Sequence, residues 1–523
     1  MFLPALLLAV ASTCGDPGVA SPAQPAAESA SPAVPSYYTG ADATKWPDPS
    51  AGSGFWTTPS VNPSDDSANY GSYDLILQIL EAEQTWSSLQ SCLVALSWTI
   101  GIAMLVAGTA QPRSGRRVWL KFLAIVPLTL LSFWAYGFAI GFGNWFNGLV
   151  PPGWYAALGP GMSELNAGIG IGGNPATSEY DYGLSGTTGF FFHGFDNGAV
   201  LCMFCMMWAQ FCVAVSLPTA ALAERWSWKS VCMFAMWVAL PYSLLANWIW
   251  GGGWLTQAGR NWGLGHGVVD FAGSGLIYGL GGIIALAGCL AFGRCPGKSA
   301  TGKPRDPLPL FFQLAPMGFL ILLGPRVDPS RDGDGSFAGA DVNMNLAIAT
   351  AATVVAIGLL FRRRKLDFVM IGCGGLSGLA AIGSPCAFVD TAAAAAIGGV
   401  AGIVFMACAS FLERRGIEDV IRAVSAFGAG GLWGMIALGL FANGKYGHGW
   451  NGVVRERIAG HSGIDGVREL FYGDASQLAA QVLGVSILLA VGFGGSFLMF
   501  KMSNWVAPTR LEAKAQTPAQ NGC

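Results

Sequence analysis

The most constraining feature of this chain is its succession of long apolar stretches, about twenty residues each, with charge confined to the connections between them. A run of that length crosses the hydrocarbon core of a bilayer as a helix. Eleven such runs can be marked, at residues 89–109, 121–143, 196–217, 228–249, 271–292, 308–325, 341–361, 367–383, 391–412, 424–442 and 476–500. Composition agrees with this reading. Of 523 residues, 53% are hydrophobic and only 11% charged, against about 25% charged in soluble chains. The 74 glycines suit close approach of helices in lipid. A net charge of −2, with no long Lys/Arg run, excludes nucleic acid as a partner.

Loop charge predicts orientation. The connections at 110–121, 224–229, 294–305, 362–365 and 413–422, with the tail after 500, hold 20 of the 28 Lys and Arg. The other side holds Lys45, Arg260, Arg326, Arg331, Lys445, Arg455, Arg457 and Arg468. The positive-inside rule places the first set in the cytoplasm, so the N-terminus lies outside and the tail inside. The apolar stretch Leu3–Thr13 is too short to span and reads as a secretory signal within residues 1–20. Cys14 stands as a candidate lipidated cysteine. Residues 21–88 are Pro, Ser and Ala rich and read as a flexible extracytoplasmic segment. The membrane domain is 89–502, and 503–523 is a short cytoplasmic tail.

No catalytic group, metal cluster or cofactor site is evident. Cys202 and Cys205 have metal-like spacing but no second pair beside them. Cys202, Cys205, Cys212, Cys232, Cys289, Cys373 and Cys408 sit in apolar runs, where they read as small buried hydrophobes.

Several segments carry a resemblance. Ala221-Leu222-Ala223-Glu224-Arg225 follows the third span, and Trp248-Ile249-Trp250-Gly251-Gly252-Gly253-Trp254-Leu255 follows the fourth. Asp270-Phe271-Ala272-Gly273-Ser274-Gly275-Leu276-Ile277-Tyr278 opens the fifth, and Asn343-Met344-Asn345-Leu346-Ala347 the seventh. Leu470-Phe471-Tyr472-Gly473, with Gln477, Leu478 and Gln481, enters the eleventh. In this order they resemble the ammonium transporter family of Amt, Mep and Rh proteins. The resemblance implies an all-α fold of two inverted five-helix halves and an eleventh long helix. It also implies a homotrimer in the cell (cytoplasmic) membrane, with an ammonium or ammonia path in each subunit.

By the same resemblance, Trp250 matches the aromatic cup of the family and Asp270 the acid below it. Trp250 also reads as an interfacial anchor, and Asp270 as a helix N-cap. Counting back from Glu224 puts the outer gate Phe of the family on Gln210, with Phe211 beside it. Gly324-Pro325-Arg326-Val327-Asp328-Pro329-Ser330 offers no second gate Phe or cup Ser, and Arg326 reads as a loop residue paired with Asp328. The two pore-histidine positions hold Tyr278 and, by the ungapped run from Ile417, Phe427, while Arg422 replaces an Asp. The four histidines, His193, His266, His448 and His461, all fall in predicted external loops and read as solvated. Tyr278 and Phe427 are expected to pack side by side and restrict the path. The motifs that dock a PII-type regulator are missing from Asn504–Cys523, so no such partner is expected. The leading expectation is ammonium transport, with activity reduced or lost. The alternative is a non-conducting sensor, scaffold or partner subunit.

Overall fold

Hydropathy of consecutive residues dictates ten apolar helices among the described residues of the computed structural model. The structure describes residues 90, 92–107, 115–143, 168–171, 182–194, 198–293, 320, 338–362, 366–419, 421–445, 450–452, 467 and 475–506. Eight helices are long and apolar enough to cross a membrane. They are α2 (Val118–Phe142), α3 (Gly198–Leu222), α4 (Trp228–Ile249), α5 (Ser274–Phe292), α6 (Ala338–Phe361), α8 (Thr391–Arg415), α9 (Ala423–Phe441) and α10 (Ser476–Val506). Two shorter apolar helices, α1 (Cys92–Ala107) and α7 (Phe368–Ile382), complete the set among the described residues. Each coincides with a run marked from sequence. Apart from Leu320, which is buried, the run at 308–325 lies outside the described residues, as do the signal, the Pro/Ser/Ala-rich segment and the loop around Arg326. All described residues fall in one unit, Val61–Cys523.

The helices are not uniform rods. α4 breaks at Val238, between Trp228–Trp237 and Ala239–Ile249, because Pro241 has no backbone N–H for the helical ladder. α2 widens into a π-turn at Phe133–Gly137, and α5, α9 and α10 carry similar turns at Ser274–Gly279, Ala423–Gly428 and Leu488–Gly495. Such turns concentrate at functional places in helices. A two-stranded antiparallel hairpin, β1 (Gly168–Ile171) and β2 (Tyr182–Gly186), lies between α2 and α3 in sequence. It is tied to the end of α4 where the Trp254 amide donates to the Gly183 carbonyl at 3.0 Å and the Trp248 indole to that of Leu184 at 2.8 Å.

Two packing themes position the centre. α5 and α9 meet backbone to backbone through glycine: a Cβ on Gly282 would lie 2.2 Å from the Gly428 Cα. Reciprocally, one on Gly431 would lie 2.2 Å from the Ser274 oxygen and 2.6 Å from the Gly279 nitrogen. Small residues are what allow such crossings in lipid. The second theme concerns the non-helical stretch 263–273 that feeds α5. Irregular backbone that is buried needs polar partners from the protein, and side chains of α10 provide them. Gln477 accepts from the His266 amide at 2.8 Å and donates to the Gly267 carbonyl at 2.8 Å. Gln481 accepts from the Val269 amide and donates to its carbonyl at 2.7 Å.

Exposed apolar side chains such as Ile357, Leu360, Ile403, Phe411 and Leu498 cover the outer faces of α6, α8 and α10. Cys205 belongs to that outer surface and not to the interior expected for the cysteines.

Candidate functional site

The candidate site is built where α5 and α9 begin. Asp270 is 3% exposed. Its Oδ2 accepts from the backbone amides of Gly275 at 3.1 Å and Leu276 at 2.8 Å, and its Oδ1 accepts from the Ser384 hydroxyl. Asp270 thus caps the wide first turn of α5 by filling amides that have no helical partner. Ser274 joins the same knot, accepting from the Ser384 amide at 2.7 Å. The Ala272 amide donates to the Gly383 carbonyl at 3.0 Å, so the entrance to α5 is laced to the end of α7.

Asp419 does the same work for α9. Its carboxylate accepts from the Val424 amide at 3.2 Å, the Ser425 amide at 2.9 Å and the Ser425 hydroxyl at 3.0 Å. In both places the amides lie five and six residues after the Asp, and the chain turns left-handed three residues after it. That turn falls on Gly273 (φ +79°) in α5 and on Arg422 (φ +61°) in α9.

Eight residues after each Asp stands an aromatic ring, Tyr278 and Phe427. The two rings stack with centroids 5.9 Å apart at 25°. Sequence reasoning missed the third member: Trp98 of α1 lies 5.5 Å from Tyr278 and 6.5 Å from Phe427. All three are at most 3% exposed. Nothing in the α1 sequence distinguishes Trp98 from a packing residue. The arrangement is a buried cluster of three rings, with the Tyr278 hydroxyl as the one O–H donor among the three side chains and the Trp98 indole N–H as the other polar hydrogen.

Trp250 is buried, 6% exposed, and its indole N–H donates to the Asp270 carbonyl at 2.6 Å. This ties the end of α4 to the entrance of α5 and sets Trp250 inside the protein, not at an interfacial anchor position. Phe211 is fully buried, packed between Phe133 (5.5 Å, 26°) and Tyr242 (4.6 Å). It belongs to an aromatic cluster between α2, α3 and α4. Gln210, beside it, is half-buried, and its Oε1 has no hydrogen-bond partner among the described residues.

The histidines need one correction. His193 is exposed, but His266 is only 6% exposed. Its backbone is held by Gln477 and by the Asn451 amide, which donates to the His266 carbonyl at 2.7 Å. A loop position read as solvated is buried because side chains from two distant segments fold over it. His448 and His461 lie outside the described residues.

At the opposite end of α5, Arg225 is 2% exposed. It donates to the Gly293 carbonyl at 2.8 Å, to Cys289 Sγ at 2.9 Å and to the Glu418 carbonyl at 3.0 Å, with the Glu418 carboxylate at 3.8 Å. The Arg of the Ala-Glu-Arg segment therefore joins the ends of α3 and α5 to the entrance of α9. Arg422 pairs with Glu413 at 2.9 Å.

The family model described as Ammonium Transporter Family matches residues 85–520. Ammonium transporter Amt2 of Archaeoglobus fulgidus is 30% identical over 437 residues, 80% of this chain and 82% of that protein. Among solved structures, one described as a sensor Amt protein aligns with a TM-score of 0.66 and 21% identity, over 84% of this chain and 97% of that one. Mep2 of Candida albicans aligns with a TM-score of 0.63 and 20% identity, over 83% and 87%.

Proposed function

Because this chain belongs to the ammonium transporter family, a family of transporters and not of enzymes, we propose that it takes ammonium or ammonia as its substrate. The path runs between α5 and α9 in each subunit, and the rings of Trp98, Tyr278 and Phe427 restrict it. Trp250 and Asp270 form the outer approach, Trp250 by its ring and Asp270 by holding that approach in shape. Phe211 contributes as wall. The stack of Tyr278 on Phe427 is the observation that carries the restriction. A bare cation at mid-bilayer costs at least ~2.5–3.5 kcal/mol. Ammonia, passing between rings with so few polar groups, forgoes hydrogen bonds worth ~1–3 kcal/mol each.

The same stack favours a second reading, a non-conducting member that senses ammonium or serves a partner. The solved neighbour described as a sensor Amt protein is consistent with it without favouring it. Reconstitution into liposomes separates the two. The first reading expects a small inward ammonium flux that rises when Phe427→Ala removes one ring of the plug. The second expects none from either protein. Rapid flux that Phe427→Ala leaves unchanged would place the path elsewhere and overturn both.

The wider assembly belongs to this proposal. Eleven spans, an N-terminus outside, a cleaved signal, placement in the cell membrane and a homotrimer rest on the 20-to-8 division of basic residues and on the family. Labelling of Ser36→Cys from outside sealed cells, and mass measurement in mild detergent giving three copies, test them.

A further inference from the structure

The side-chain carbonyl oxygen of Gln210 and the indole N–H of Trp208 are two buried polar groups of α3 without a hydrogen-bond partner among the described residues, and three observations define the surroundings of the first. The outward stripe of α3 is Leu201, Cys205 and Trp208, the first two exposed and the third half-buried. At about 100° per residue, Gln210 lies roughly 200° round the helix from Trp208, on the opposite side. Its neighbours Met206, Met207, Phe211, Val213 and Ala214 are all buried. Gln210 therefore projects from the side of α3 opposite that exposed stripe.

Register gives its height. α3 and α5 run parallel and in close contact. A Cβ on Gly281 would lie 2.7 Å from the Ala214 oxygen, and one on Gly288 would lie 2.4 Å from the Leu222 side chain. One helical turn before Ala214, the same register sets Gln210 level with Ile277, next to Tyr278. Finally, Oε1 is shut off from solvent and has no hydrogen-bond partner among the described residues. A buried carbonyl oxygen left unpaired costs about 1–3 kcal/mol, and a persistent orphan of this kind calls for a ligand or a water.

We propose that Gln210 Oε1 is a binding and specificity-determining acceptor for the ammonium ion, placed on the outer side of the Tyr278–Phe427 plug. The inference rests on ammonium being the substrate. Ammonium has four N–H donors and no acceptor, so a carbonyl oxygen complements it without itself ionising. Aromatic faces attract any cation, whereas a single directional acceptor rewards a cation with N–H bonds over an alkali ion of similar size. The amide thus adds selectivity to an approach otherwise made of rings.

The test is binding, read independently of flux. Titrating ammonium chloride into protein in lipid nanodiscs, against matched potassium chloride, should show heat of binding for ammonium alone. Gln210→Met, of similar length and without an acceptor, should weaken ammonium binding about tenfold and leave the thermal unfolding midpoint within a few degrees. Gln210→Glu keeps an acceptor oxygen at the same reach and should bind at least as tightly as the native chain. Equal binding by the native chain and Gln210→Met overturns this inference and leaves the substrate reading standing, as does loss of binding in a folded Gln210→Glu. Absence of ammonium binding by the native protein overturns both.

Discussion

The entrances to α5 and α9 are two versions of one device. Each has an Asp whose carboxylate caps the amides five and six residues on, a left-handed residue at the third position, a wide π-turn, and an aromatic ring at the eighth. They differ in what surrounds them. Asp270 is buried and also receives the Ser384 hydroxyl from beyond α7, so it ties two helices together. Asp419 takes its third hydrogen bond from Ser425, within its own turn. The left-handed position is a glycine in one and Arg422 in the other. The difference teaches that backbone geometry and ring placement are held by the carboxylate and the glycine contacts between α5 and α9. The chemistry of the ring and of the third position is then free to vary.

The largest expected effect breaks the device at its buried end. Asp270→Ala leaves two amides and the Ser384 hydroxyl unpaired in a dry interior and should destabilise the protein by about 3 kcal/mol. Asp419→Ala, at a partly accessible entrance, should cost about 1 kcal/mol. Unfolding followed by circular dichroism in detergent would rank them, and equal losses would show that the two entrances are energetically alike.

The left-handed positions should respond with opposite signs. Gly273→Ala places a Cβ 2.5 Å from the Ile277 side chain at φ +79°, a loss of about 2 kcal/mol including the left-handed penalty. Arg422→Gly removes that penalty, about 1–2 kcal/mol, and forfeits a partly exposed pair with Glu413 worth under about 1 kcal/mol. A small net gain in melting temperature is expected. A loss would assign Arg422 a larger structural role than its pairing shows.

The smallest effect sharpens the comparison at the rings. Tyr278→Phe makes the two ring positions alike while keeping the stack, and stability should change by less than about 1 kcal/mol. If the restriction is steric, ammonium flux in liposomes stays where it was. A fall in flux would assign the Tyr278 hydroxyl a hydrogen-bonding part in passage.

Much of this is legible in the sequence. The ten described helices fall on runs marked by hydropathy, because membrane insertion depends on the summed character of consecutive residues. Asp270 as a cap could be read from its place before an apolar run, whereas the pairing of Tyr278 with Phe427 followed from the family resemblance, which sets both on its pore-histidine positions. Other features were not readable there. Trp98 joins the rings from a helix far away in sequence, and His266 is buried by Gln477 and Asn451 from beyond α9. Burial of this sort depends on which distant side chains fold over a loop, and a loop's own composition carries no record of them.

The sequence by itself determined that this chain is a bundle of apolar helices of the ammonium transporter family, with aromatic residues eight positions after two acids. These are properties of residues adjacent along the chain or on one helix. Tertiary structure alone decided that the two rings stack with a third, that Trp250 is hydrogen-bonded to Asp270, and that the Gln210 carbonyl is enclosed without a partner. Each depends on atoms brought within a few ångströms by packing between segments scores to hundreds of residues apart, and hydrogen bonds and ring contacts act only over that range.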